Sequence, residues 1–267
     1  MVEKKDKSMD SVPLVIAHRG ASSEAPENTL ASFQLAFEQG VTAIEGDFRL
    51  TKDGRIVCIH DSHGRRTLGK NITISKTALA DLKKLSAGKW KGVQWEKERV
   101  PTLEEVLEIL PDESQLFLEV KCGPEIIKPL TGIIQDMNIS SDQLILISYN
   151  KEVLRQFKEA FPDFIAYLLV KFERELYFIG RHKPDFATVL SELQRLRVDG
   201  LDSKAQSLIT AEFVQQLRDS GYPLYVWTVN DPETADQFIN LGAEGLTTDR
   251  PAWLLRYIEE NYIDSQQ

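Results

Sequence analysis

Short apolar runs alternate with amphipathic stretches from Leu14 to Tyr262, and this strand–helix beat constrains the fold more than any other feature of the chain. The first run, Leu14-Val15-Ile16-Ala17, is continuously apolar, as expected of a parallel strand buried on both faces. It ends in His18-Arg19-Gly20. Residues 28–38 form an amphipathic helix with Leu30, Phe33 and Phe37 on one face, stopping at Gly40. Strands follow at 42–50 and 55–59, separated by the turn Lys52-Asp53-Gly54. A helix over 102–110, capped by Thr102, leads into strands at 115–121, 143–148, 164–169, 197–201, 223–229 and 245–248. The intervening helices are expected at 124–137, 150–160, 184–195, 210–220, 232–241 and 251–262. Counting 55–59 as an extension of the second strand leaves eight βα units. Repeated βα units imply a parallel sheet. The 267 residues suit a closed (β/α)8 TIM barrel, which needs about 250. No glycine-rich dinucleotide fingerprint follows the first strand, which disfavours an open doubly wound sheet.

Two regions break the beat. Residues 1–12 read as a flexible N-terminal arm. Residues 62–99, rich in Lys, Gly and Trp with one short helical stretch at 76–85, read as an insertion after the second strand. The rest of 13–267 reads as one barrel domain.

Composition then excludes several functions. The chain has 32 Lys+Arg against 41 Asp+Glu, a net charge of −9. That balance disfavours nucleic acid, whose binders carry a basic patch, and gives no overall attraction to anionic lipid. No apolar run approaches the roughly 18 residues of a membrane helix. The charged N-terminus has no leader-like apolar stretch behind it. The expectation is a cytoplasmic protein without stable membrane insertion. Cys58 and Cys122 cannot make a disulfide scaffold, and no zinc-type Cys/His cluster is present.

Barrel active sites assemble at the C-terminal ends of strands. Those ends read His18-Arg19, then Glu45/Asp47/Arg49, His60-Asp61, Glu119/Lys121, Trp227 and Asn230. Residues two apart on a strand share a face. Ile44, Phe48 and Leu50 suit the outer face, so Glu45, Asp47 and Arg49 point inward. By the same parity Glu119 and Lys121 point inward from Leu118-Glu119-Val120-Lys121. Three carboxylates in one cavity repel, and burying them unpaired costs several kcal/mol each. A divalent cation resolves this, and an all-carboxylate shell selects Mg2+ or Ca2+ over zinc. The bland alternative is self-neutralisation, Glu45 with Arg49 and Glu119 with Lys121, but it leaves Asp47 and both strand-end histidines unexplained. His18 and His60 suit general acid/base work. His63 and His182 lie in polar loop context and read as surface residues. Arg19 reads equally as a phosphate contact or a rim ion pair. Metal, cations and two histidines suit phosphodiester cleavage; enolisation on a metal-bearing barrel would use similar ligands.

These residues resemble the glycerophosphodiester phosphodiesterase family. The resemblance rests on His18-Arg19-Gly20, Pro26-Glu27-Asn28-Thr29, Glu45-Gly46-Asp47 with Thr51-Lys52-Asp53-Gly54, His60-Asp61 and Leu118-Glu119-Val120-Lys121. It continues in Val100 to Val106, Val226 to Asn230 and Thr247 to Pro251, in family order. It implies a barrel with a small insertion after the second strand, and hydrolysis of small-molecule glycerophosphodiesters, such as glycerophosphocholine, to sn-glycerol 3-phosphate and an alcohol. By carry-over, Glu45, Asp47 and Glu119 resemble the metal ligands, and His18 and His60 the acid/base pair. Arg19 and Lys121 resemble phosphate-contacting cations, and Trp227 an aromatic wall near the glycerol. Asn28 reads as a helix cap. Gly46 departs from the usual apolar residue, at a cost expected in packing only; residues 62–67 and Glu244 depart as well. Other readings are a lysophospholipase D, kept open by Trp90 and Trp95, and a non-catalytic phosphoester-binding barrel.

Overall fold

A computed structural model describes residues 12–174 and 182–263. The expected arm over residues 1–12 lies outside them except for Val12. Eight parallel strands close on themselves. In chain order these are β1 (Leu14–His18), β2 (Ala43–Leu50), β4 (Gln115–Val120), β5 (Leu144–Ser148), β6 (Ala166–Val170), β9 (Gly200–Lys204), β10 (Leu224–Trp227) and β11 (Gly245–Thr248). Strand β3 (Ile56–Cys58) folds back antiparallel on the end of β2, so it is the predicted extension and not a barrel stave. Strands β7 (Glu173–Arg174) and β8 (His182–Lys183) pair as a two-residue antiparallel ribbon. The chain is a (β/α)8 TIM barrel.

Helices α1 (Leu30–Glu38), α3 (Leu103–Glu108), α4 (Ile127–Asp136), α5 (Lys151–Ala160), α6 (Phe186–Leu196), α7 (Ala211–Asp219), α8 (Pro232–Leu241) and α9 (Pro251–Ile258) alternate with the staves. Their starts follow local chemistry. Thr29 and Thr102 close capping boxes, and Asn150, Asp185, Thr210 and Asp231 accept backbone N–H bonds at their helices. The expected strand at 197–201 begins three residues later. Helix α6 runs on to Leu196, and Arg197 ends it in a left-handed conformation (φ 56°) before the chain extends again. The expected helix at 76–85 is only α2 (Leu79–Leu82), because Thr77 is extended and separates it from a 3-10 turn at Ile74–Lys76.

The outward faces of the staves and the helices form one large core, from Val15 and Ile44 round to Leu246. Inside the barrel, Ile16, Ala43, Phe117, Ile145, Ile147, Tyr167 and Leu169 pack together. Phe117, Tyr167 and Tyr225 make an aromatic floor, with ring centroids 4.7 to 6.3 Å apart. Residues 62–99 carry a smaller core: Leu68, Ile74, Leu82 and Ala87 rest against Val57 and Ile59. Gly46 faces outward, as expected, but packing does not suffer. A Cβ there would stand 3.1 Å from Cys58 Sγ and 3.2 Å from Phe33, so these neighbours already fill the space.

Candidate active site

The inward parity read from β2 and β4 holds. Glu45, Asp47 and Glu119 are buried, and one oxygen from each lies within 4.8 Å of the others. The register puts Asp47 beside Glu119 across the β2–β4 pair and Glu45 beside His18 across β1–β2. Beyond His18 the chain turns sharply through Arg19 (φ 56°) and Gly20 (φ 81°). Only glycine fits at 20, where a Cβ would stand 2.5 Å from the Ser32 backbone. This turn sends the Arg19 N–H to Glu45 Oε2 at 2.9 Å and its guanidinium to Asp47 and Glu27. Lys121 Nζ reaches Glu119 Oε1 at 2.6 Å and Asp47 Oδ1 at 3.2 Å.

The two strand-end histidines share one arrangement. His18 Nδ1 lies 2.6 Å from Asp249 Oδ1, and His60 Nδ1 lies 2.7 Å from Asp61 Oδ1. A carboxylate only accepts, so each Nδ1–H donates, which leaves Nε2 of each ring facing the site to take or give a proton. His18 Nε2 stands 3.9 Å from Glu45 Oε2. Asp249 is itself held by Ser22 Oγ and Asn230 Nδ2, at 2.9 and 2.6 Å. Asp61 accepts from Arg66 Nε at 2.8 Å. A cavity of about 340 Å3 opens beside His18, between Arg19, Ser22, Glu27, Asn230 and Arg250.

Charge in the cluster is unevenly distributed. Burial, then Asp47 and Glu119, raise the Glu45 carboxyl well above the usual range. Burial and Asp47 push Glu119 up to about 7. Burial would also raise Asp47, but Arg19 and Lys121 outweigh it and hold Asp47 at about 2. Burial lowers His60, favouring its neutral form. Burial would raise Asp249, but its bonds from His18, Asn230 and Ser22 bring it below the usual range. Among the described residues, Glu45 Oε1 and Asp47 Oδ1 receive no hydrogen bond. The Lys121 ion pair faces Asp47 Oδ1 without bonding geometry.

Several contacts escape sequence reading. Asn28 is not the helix cap; Thr29 is. Asn28 is left-handed (φ 58°) and buried, donates to Asp47 Oδ2 at 2.8 Å and accepts from the Asp47 N–H at 3.0 Å. Of the self-neutralising alternative, Glu119 and Lys121 do pair, but among the described residues Arg49 does not pair with Glu45. Arg49 donates to the carbonyls of His60 and Lys121, both at 2.8 Å, and so clamps two site strands together. Arg66 of the insertion bridges Asp61 and Glu27, the partners of His60 and Arg19. Asp202 is a fourth inward carboxyl, raised well above its usual range by burial and Glu119, with Oδ1 unbonded among the described residues. Trp227 stands at the barrel mouth, edge-on to Tyr149 with ring centroids 6.4 Å apart. His63 is exposed and touches Ser62, and the His182 side chain lies outside what is described.

A buried carboxylate triad between two cations and two carboxylate-anchored histidines sits at the mouth of the (β/α)8 barrel, an arrangement suited to phosphodiester cleavage. The chain matches the glycerophosphoryl diester phosphodiesterase family over residues 18–253, and it belongs to that family. It is 34% identical over 252 residues to a glycerophosphodiester phosphodiesterase of Caldanaerobacter subterraneus subsp. tengcongensis, covering 92% of this chain and 98% of that one. It is similar to the solved structure of an Oleispira antarctica phosphodiesterase in complex with the product sn-glycerol-3-phosphate. The TM-score there is 0.82 at 32% identity, covering 92% of this chain and 97% of that one. A human relative named lysophospholipase D GDPD1 is 26% identical, covering 91% of this chain and 85% of that one.

Proposed function

We propose that the chain hydrolyses glycerophosphodiesters such as glycerophosphocholine to sn-glycerol 3-phosphate and an alcohol. One observation carries this reading: two imidazoles, each fixed through Nδ1 by a carboxylate, flank a buried cluster of three carboxylates and two cations. Glu45, Asp47 and Glu119 would hold a divalent cation, Mg2+ or Ca2+. The donor set supports this: it is all oxygen, its spacing of 4.8 Å or less suits oxygens sharing one ion, and two of its buried oxygens lack a hydrogen bond. Bound there, the ion would polarise a phosphoryl oxygen.

The chain's own groups supply the rest. Arg19 and Lys121 face the developing charge on the non-bridging oxygens. One histidine Nε2 takes the proton from the attacking oxygen as the new P–O bond forms. The other gives a proton to the alcohol oxygen as the old P–O bond breaks. The attacking oxygen belongs to water or to the neighbouring glycerol hydroxyl; trapping a cyclic phosphodiester early in turnover identifies the second. Trp227 would line the glycerol side.

The test is a panel of glycerophosphocholine, glycerophosphoethanolamine and lysophosphatidylcholine with Mg2+ and Ca2+ titrated in. The expected result is sn-glycerol 3-phosphate from the first two. Turnover of the acylated substrate alone would favour a lysophospholipase D, a reading supported by the human relative's name and by exposed Trp90. No turnover with the cation bound would favour a non-catalytic barrel and overturn the proposal.

Two further results are expected. Glu119 sits at about 7 without the ion. Below that pH a proton competes with the cation, and above it the carboxylate is free to bind. The rise in Tm on adding cation is therefore larger at pH 8 than at pH 6; thermal scans at fixed cation that show the reverse contradict the assignment. Arg66→Ala frees the anchors of His60 and Arg19 together, and is expected to lower kcat about tenfold to a hundredfold with little change in KM. Arg66→Lys restores part of this, since an ammonium cannot reproduce the planar fork. Steady-state kinetics on glycerophosphocholine checks both variants.

A further inference from the structure

The net charge of −9 hides a strong asymmetry. Residues 62–99 hold ten lysines and arginines against three acids, a formal charge of +7, so the remainder of the chain carries −16. Acids outside the segment offset part of that +7: Arg66 pairs with Glu27 and Asp61, and Lys83 with Glu105. Lys70, Lys76 and Lys97 are exposed and carry no ion pair among the described residues.

The same segment exposes apolar surface. Trp90 is 41% and Val93 80% exposed, two of five large apolar side chains standing out among the described residues. The loop that presents them is tightly built. Gly88 passes so close to Trp95 that a Cβ would fall 2.2 Å from its carbonyl oxygen. The Trp90 indole N–H donates to the Ala87 carbonyl at 2.8 Å, which leaves the ring's apolar body outward. Lys91 Nζ lies 5.7 Å from the Trp90 ring centroid and donates to the Ser22 carbonyl at 2.7 Å. Ser22 in turn holds Asp249, the partner of His18. The loop is thus fastened to the barrel mouth.

We infer that the insertion is a peripheral docking surface for an anionic lipid bilayer, with Trp90 and Val93 entering the headgroup layer and the unpaired lysines of the same segment facing lipid phosphates. An indole between lysines suits the interface, where an apolar body meets charged headgroups. Each Lys or Arg near an anionic surface adds about fivefold to partitioning. The acidic remainder of the chain is repelled by the same surface, so the field orients the barrel with its insertion toward the lipid. No helix among the described residues is long and apolar enough to cross a membrane, so contact is peripheral. The inference does not rest on the proposed hydrolysis, and its test reads binding alone.

The test is flotation of the full chain with vesicles of phosphatidylcholine alone or with phosphatidylglycerol added, at low and high salt. Expected is binding to the anionic vesicles, released by salt, and little to phosphatidylcholine alone. Lys70→Glu/Lys97→Glu should lower partitioning at least tenfold and Trp90→Ala/Val93→Ser several-fold. Both variants should keep the parent's Tm and its turnover of glycerophosphocholine. Absence of binding at low salt, or binding that both variants retain, overturns the inference. So does tighter binding to an oligothymidylate strand than to anionic vesicles, which would make the patch a polyanion site of another class.

Discussion

Replacing either His18 or His60 by alanine is expected to lower turnover of glycerophosphocholine by about a hundredfold to ten-thousandfold, while cation binding followed by calorimetry persists. Each ring is part-buried and anchored on its own carboxylate, and among the described residues neither hydrogen-bonds a triad carboxylate, the nearest approach being His18 Nε2 at 3.9 Å from Glu45 Oε2. Loss of His18 leaves Asp249 bonded to Asn230 and Ser22, and loss of His60 leaves Asp61 on Arg66. The fold therefore survives, and the loss is chemical. The double variant should be little worse than the weaker single one, because the two proton transfers belong to one reaction. Activity retained within threefold in both single variants would remove the histidines from the mechanism.

Asp47 and Glu45 should respond to substitution in opposite ways when no cation is present. Asp47 stays ionised between Arg19 and Lys121 and has no exposure to solvent. Asp47→Ala leaves two cations without their shared partner, and about 3–5 kcal/mol of stability is expected to be lost. Glu45 already favours its protonated form. Glu45→Gln mimics that form, so urea denaturation in EDTA should differ from the parent by less than about 1 kcal/mol. Both substitutions nevertheless remove a ligand oxygen, and turnover in saturating cation should fall about a thousandfold in each. Equal stability of the two variants would refute the charge distribution argued for the cluster.

The parts of this site carried by a single strand were legible. Two-residue periodicity alone turned Glu45, Asp47 and Glu119 inward, and strand ends alone located His18 and His60. Contacts created by barrel closure were not. Asp249 meets His18 because the last strand pairs with the first, with Ala17 opposite Thr248, across more than two hundred residues of chain. No local pattern announces that register. Asn28 was misread for a different reason: Asn before an amphipathic run is a common cap, and its left-handed backbone, which turns the amide onto Asp47, has no signature in sequence. The inward parity of Arg49 is legible in the strand, but its bonds to two carbonyls of neighbouring segments have no signature there. Net charge misled as well. The triad, the two cations and the basic insertion each set a local field that the chain-wide sum of −9 conceals.

The central claim is hydrolysis of a glycerophosphodiester by a cation-loaded triad with two histidines. Its most direct test is phosphorus NMR of glycerophosphocholine incubated with protein stripped by EDTA, then with the same protein after Mg2+ or Ca2+ is restored. The account predicts no sn-glycerol 3-phosphate before restoration and its steady appearance afterwards. Undiminished turnover by the stripped protein, or none by the loaded one, would contradict it.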